Sequence, residues 1–581
     1  MKNDSPRQTK LDKQDTSTNG EWVHGMSAGS GKKLTGVVYD RFLLFIAGMG
    51  GLLYGIDVGI IAAALLYLGK TVNLTQGQTS IIVAAVLGGS MFSSLVAGFL
   101  ADWLGRRTMM IISGLLFVAS VGVIVLSQGF IPLFLGRLLQ GMSGGFIAVV
   151  VPLYLAECLP ASSRGRGSAI FQFMLTVGIV IASLTGAFYT HQAEATITAA
   201  AGNSALIMAA ANHAWRSMFL SVIYPGIIFF FGCFFLGETP RWLFRKGRKQ
   251  DALFALQRSS SQQDAAQQFH EMEELANTNQ QQVASGTTGS LLQRKYVVPF
   301  LLACVILACN QATGINSILG YLVIILKQAG MSAQHATQGD VVVKLLNCAM
   351  TIVAIALVDK KGRKFLLTLG TAGIMIALCT VGFLFHAFES KRVDVRQSLQ
   401  AQVQDNALTL PIQSMRAQNA GNTPMGLTVL YTYGAGDKVA TAVSTDPTGA
   451  LSIQPENGAS SLKIEHAYYG PIPSEKTGWL ITACIALFIA SFAAGPGVVV
   501  WLALSELMPT RIRSGGMGLA LLINQGVSTL IAGVFLPVVG RYGYYAMFWF
   551  WGICTIVYFL TALFFLPETK GKTLEEIEAC F

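Results

Sequence analysis

The chain has 581 residues, of which 52% are apolar and only 12% charged, about half the charged share of an ordinary soluble domain. Together with apolar runs of about 20 residues recurring along nearly the whole length, this excludes a soluble globular enzyme and a disordered chain. It points to a polytopic, all-α integral membrane protein. The net charge of +10 needs no nucleic acid if the basic residues sit in loops on one side of a bilayer.

Residues 1–39 are polar and lack the apolar core of a cleaved signal, which predicts a flexible cytoplasmic tail. Twelve candidate spans follow, at 41–66, 79–101, 109–127, 130–156, 167–189, 216–236, 296–326, 338–358, 365–388, 478–505, 514–537 and 543–566. The loops after the even-numbered spans are basic. Arg106 and Arg107 follow the second, Arg164 and Arg166 the fourth, Arg241 and Arg245 the sixth, Lys360 and Arg363 the eighth, Arg511 and Arg513 the tenth. Positive charge is retained on the cytoplasmic side, so both termini are expected there, in an inner or plasma membrane.

Two hydrophilic inserts interrupt this pattern. Residues 240–295, between spans six and seven, carry helix-forming stretches at 251–257 and 267–275 and predict short amphipathic cytoplasmic helices. Residues 389–476, between spans nine and ten, contain alternating stretches at 427–433 and 438–444 around Gly434 to Asp437, a hairpin signature that predicts a small β-containing exterior cap. The expected organisation is therefore a six-helix bundle over 40–239, linker helices over 240–295, a second bundle from 296–388 and 477–567, the cap at 389–476, and a cytoplasmic tail over 568–581.

The clearest internal signal is a repeat. Asp102, Gly105, Arg106 and Arg107 after span two recur as Asp359, Gly362, Arg363 and Lys364 after span eight. Glu157, Pro160 and Arg164 after span four recur as Glu506, Pro509 and Arg513 after span ten. The second pair is displaced further than the first by about the length of the 389–476 insert, so the halves read as parallel six-helix copies with one insertion. That arrangement places a substrate site at the interface of two rocking bundles.

With Gly237 to Leu243 after span six, Gln311 to Asn316 in span seven, Gly495 to Trp501 in span ten and Pro567 to Gly571 after span twelve, the chain resembles the sugar porter family of the major facilitator superfamily over about residues 40 to 577. The resemblance implies the major facilitator fold, twelve transmembrane helices in two parallel repeats, and sugar transport with a single chain as the functional unit. It implies sugar contacts at Gln172, Asn310, Gln311, Asn316, Asn347, Trp501 and Asn524. Amides both donate and accept, as sugar hydroxyls do, and an indole offers a face to the C–H surface. Two positions depart from the family. Asn310 stands for a glutamine, one methylene longer, and Gly320 for the first of two gate tyrosines, with Tyr321 kept; the glycine thins the exterior gate and adds hinge freedom.

Charged residues at the helix ends suggest a cytoplasmic latch. Asp102, Arg106, Arg107, Glu157, Arg164, Glu238 and Arg241 in one half, and Asp359, Arg363, Glu506, Arg513 and Glu568 in the other, are expected to pair across the bundles and hold an outward-open state.

Asp57 lies inside the apolar first span, where a carboxylate is a functional candidate by default, and Arg137 in span four is its expected partner. Related proton symporters carry Asp at the position of Asp57 and Arg at that of Arg137, whereas facilitators resemble this pattern with Asn. The implied function is sugar–proton symport by alternating access, with the proton as coupling ion and neither cofactor nor metal. A facilitative sugar or polyol uniporter and a non-transporting sugar sensor are the rival readings. An ATP-driven pump is excluded: the loop from Gly29 to Lys33 has Met26 where a phosphate loop needs Gly, and no Ser or Thr follows its Lys.

Overall fold

The computed structural model describes residues 31–159, 161–259, 262–284, 294–411, 425–434, 436–443, 450–455, 461–507 and 513–568. The expectations for the N-terminal tail before residue 31 and for the tail beyond Glu568 lie outside them.

Long apolar runs with few Asp, Glu, Lys or Arg satisfy their backbone groups internally by coiling. Among the described residues, twelve helical spans are long and apolar enough to cross a membrane: Val38–Gly69, Gln76–Leu104, Arg106–Leu126, Phe130–Cys158, Ala169–Ala199, Ser204–Phe234, Val297–Gln328, Ala333–Leu357, Arg363–Glu389, Glu475–Val500, Gly518–Tyr542 and Tyr544–Phe564. They are numbered one to twelve in that order.

Spans five and six overrun the sequence expectation. The helix containing span five runs over Ala161–Ala199, and after a tight turn capped by Asn203 the chain re-enters a helix at Ser204, where ends at 189 and 216 were expected. The intervening stretch is rich in Ala, the best helix former, and simply continues.

Three spans break: six at Val222, between helices Ser204–Ser221 and Ile223–Phe234, and also seven and ten. Span seven stops at Ala312 and restarts at Ile315, because Gly314 takes φ +80 and Trp551 packs against it where a Cβ would go. In span ten the helix Glu475–Ala494 ends at Gly495 and a second helix begins at Pro496.

Packing follows the repeat. In the first half span one lies against five, two against four and three against four; in the second half seven lies against eleven, eight against ten and nine against ten. Small residues make the seams tight: a Cβ at Gly55 would collide with the Leu175 carbonyl, and one at Gly141 with the Val86 carbonyl. The halves meet where span two lies on eleven and span five on eight.

Between spans nine and ten the chain builds the expected cap. Its strands are β1 (Val393–Asp394), β2 (Leu408–Pro411), β3 (Met425–Thr432), β4 (Asp437–Val443), β5 (Ala450–Ile453) and β6 (Lys463–Pro471). An antiparallel sheet in the order β1-β6-β3-β4 stands beside the β2-β5 pair. β3 and β4 form the hairpin read from the sequence, with Gly426 opposite Val443 and Thr432 opposite Asp437. Leu427, Val429, Ile464 and Ala467 lie in the cap's own core. The cap leans on both halves: Lys438 Nζ donates to Asn73 Oδ1 at 2.7 Å, and Arg541 pairs with Asp437 at 3.2 Å.

The linker carries short helices at Pro240–Arg245, Lys249–Ser259 and Gln262–Ala284. An ion pair between Lys249 and Glu273 at 2.8 Å joins the last two.

Candidate functional site

The 80 residues that separate Asp57 from Arg137 vanish in space, because span one packs against span four. Arg137 Nη1 donates to Asp57 Oδ1 at 3.2 Å and to Gln140 Oε1 at 2.7 Å. Both charged side chains are enclosed, at 0% and 1% exposure, and the guanidinium lies 5.5 Å from the centre of the Phe219 ring in span six. Asp57 Oδ2 has no hydrogen-bond partner among the described residues. Gly144 leaves room beside it, since a Cβ there would lie 3.5 Å from that oxygen and 3.0 Å from the Tyr54 ring. The free oxygen is the atom on which a proton would reside; protonation would remove the charge that holds Arg137.

A second polar cluster forms at the break in span seven. Asn316 Nδ2 donates to Gln311 Oε1 at 3.0 Å and to Ser528 Oγ in span eleven at 2.8 Å. Around it Asn310 Oδ1, Asn524 Oδ1 and Trp551 Nε1 are buried without a partner among the described residues. Buried polar atoms are normally paired, so this set of acceptors and a donor is chemically ready for a hydroxyl-bearing solute. Gln172 and Asn347 are half-buried on spans five and eight. Those spans meet through Thr176 Oγ1 and Cys348 Sγ at 3.5 Å, one turn beyond Gln172 and next to Asn347. The side chain of Trp501 lies outside the described residues.

The expected gate is shut on the cap side. Tyr321 stacks on Phe535 at 4.4 Å and donates to the Ala532 carbonyl at 3.1 Å. Gly320 faces Val83 and Ile61 of the opposite half at ordinary contact distance. Further ties cross the halves nearby: Leu536 N to Ser80 Oγ at 3.1 Å, and Gln334 to His191 at 3.2 Å.

The cap side is shut here, so the outward-open state that the latch was expected to hold is not the one described. The described pairings stay within one half instead of crossing the bundles. Arg106 bridges Asp102 at 2.6 Å and Glu157 at 3.0 Å, and Arg245 bridges the same two carboxylates at 3.3 and 3.0 Å. Glu157 Oε2 also accepts from Thr239. Glu238 accepts the N–H groups of Arg106 and Arg107, and Glu568 those of Arg363 and Lys364, so each carboxylate caps the exposed amide end of span three or nine. Burial raises the Glu238 carboxyl above its ordinary value, with the backbone donors of Thr239, Arg107 and Arg106 opposing. Arg107 turns to the Phe234 carbonyl at 2.7 Å, and Arg241 is exposed. The side chains of Arg164, Asp359, Glu506 and Arg513 lie outside the described residues.

One cluster went unread in the sequence. Asp340 and Lys344, four residues apart in span eight, form an enclosed ion pair at 2.8 Å, and Lys344 Nζ also donates to the Gly59 carbonyl of span one at 3.2 Å. Two charges within an apolar run were the available signal.

Comparison with known proteins places these features in a family. The family model described as "Sugar (and other) transporter" matches residues 43–401 and 463–581, leaving out most of the cap. The glucose transporter GlcP of Staphylococcus epidermidis is 27% identical over 546 residues, covering 93% of this chain and 97% of the relative. The human proton myo-inositol cotransporter is 28% identical over 553 residues, covering 92% and 81%. A partially occluded inward-open structure of the Escherichia coli xylose transporter XylE superposes with a TM-score of 0.65 at 20% identity, over 92% of this chain and 100% of that one, and so shares its fold.

Proposed function

The chain belongs to the sugar (and other) transporter family, and from that premise we propose that it is a secondary active transporter carrying a monosaccharide together with a proton by alternating access. One observation carries the coupling. Asp57 is enclosed in the bilayer-spanning core and paired with Arg137, and among the described residues its other carboxylate oxygen has no partner. The similarity to a proton myo-inositol cotransporter supports the same reading.

The cycle runs as follows. With the cap side open, Asp57 takes a proton and releases Arg137, whose remaining acceptor is Gln140. Solute binds at Asn310, Gln311, Asn316 and Asn524 on one half, and at Gln172 on the other, with Asn347 and Trp501 completing the site. Span seven then closes over it by bending at Gly314, bringing Tyr321 and Gly320 against the opposite half. Opening of the basic face releases solute and proton together. The basic loops support a cytoplasmic basic face, with the cap outside and one chain as the working unit.

Uptake of labelled sugar into proteoliposomes tests this. An imposed inward proton gradient is expected to drive accumulation. Uptake that equilibrates at the same rate and level with or without the gradient identifies a facilitator; binding without uptake identifies a sensor.

A further inference from the structure

Where the cap sits over spans seven, nine, eleven and twelve, it roofs a half-open cavity of about 450 Å³, within the range of small-molecule sites. Strand register makes its roof. Alternate residues of a strand face opposite sides, so while Leu427 and Val429 enter the cap core, Thr428 and Leu430 turn to the cavity. Thr441 and Tyr468 stand on either side of Thr428 across the sheet, and Val439 stands opposite Leu430, all on the cavity face.

The floor adds Gln328 and Tyr545, and Gln76 at the start of span two closes one edge. Charges in the lining are compensated. Glu389 accepts the N–H groups of Tyr544 and Tyr545 at 3.2 Å with Arg392 at 3.4 Å, and Arg541 pairs with Asp437. What remains is four phenol rings for a C–H surface, two amides, one serine and two threonine hydroxyls that both donate and accept, and the ring of His386. That lining suits a neutral polyhydroxylated ligand better than an anion or a cation.

We propose that this cavity is a second binding site for a neutral sugar or polyol, apart from the cluster around Asn316. Its walls belong to the cap and the second half except for Gln76, which belongs to the first. A ligand held by both therefore favours the form closed on the cap side. Thr428, Leu430, Val439 and Thr441 fall outside the family match, so the site is a property of this chain's insert. The inference rests on the proposed function only for the class of solute.

Hydrogen exchange on the full chain in nanodiscs tests it, with glucose, xylose, galactose and myo-inositol as separate probes. At roughly ten times Kd, one of them is expected to slow exchange about 10-fold in β3, β4 and residues 536–545. The protection should persist in Asn316→Ala, and should disappear in Thr441→Trp and weaken in the milder Thr428→Val. Protection that survives Thr441→Trp, or that is lost in Asn316→Ala, overturns the second site. Sugar transport with no protection of the cap overturns it alone. Cap protection without proton-driven uptake overturns the coupling and leaves the cap site standing.

Discussion

Substituting Asp57 by Asn keeps shape and removes charge, which isolates the coupling step. Arg137 would keep Gln140 at 2.7 Å and a neutral oxygen at position 57 in place of its ion pair. Breaking an enclosed pair costs about 3–5 kcal/mol, so the variant should melt earlier yet remain folded, because an amide still accepts a hydrogen bond. The transport effect is larger. One proton moving through 100 mV supplies about 2.3 kcal/mol, which at about 1.4 kcal/mol per decade holds an accumulation of about 40-fold. Proteoliposomes with an imposed potential and labelled sugar read this ratio directly. The native protein should approach it and Asp57→Asn should settle at about 1, while counterflow exchange of bound sugar continues. Accumulation by the variant would refute the coupling role. Loss of counterflow along with accumulation would instead reduce the pair to a structural tie between spans one and four.

Three further outcomes follow from the packing. Lys344→Met leaves Asp340 enclosed without its cation and should cost about 3–5 kcal/mol, whereas Asp340→Leu combined with Lys344→Met should recover most of that; thermal melting of the single and double variants checks it. Asn316→Ala removes hydrogen-bonding capacity worth about 1–1.5 kcal/mol and should weaken apparent sugar affinity about 10-fold, read from the concentration dependence of uptake. Glu238→Ala uncaps span three and should lower stability by about 1–2 kcal/mol, again by melting, with proton-driven accumulation still present.

Much of this was legible because membranes make charge and polarity rare. A carboxylate in the first apolar run and an arginine in the fourth could be matched without any structure, and the alternating stretches around Gly434 to Asp437 announced a hairpin by their period of two. Amides at Asn310, Gln311, Asn316 and Asn524 stood out for the same reason. Pairing partners among loop charges were less readable. Arg241 and Arg245 differ by one turn, and only the helix's orientation decides that Arg245 reaches Asp102 and Glu157. Asp340 and Lys344 were visible but masked by the apolar residues that surround them. The extension of the helices of spans five and six past the expected ends was not read, because its polar residues interrupt the apolar run while its alanines keep the helix going.

Glu238 and Glu568 each stand at the close of a six-helix half and reach back to the third helix of that half. Each half is thus buckled by its own last residues. During synthesis the first half can fasten as soon as Glu238 emerges, well before the linker is complete, but the second must wait until Glu568. A chain cut short just before that carboxylate would carry a finished first bundle beside an unfastened second one, and quality control at the membrane would meet the defect in the second bundle alone.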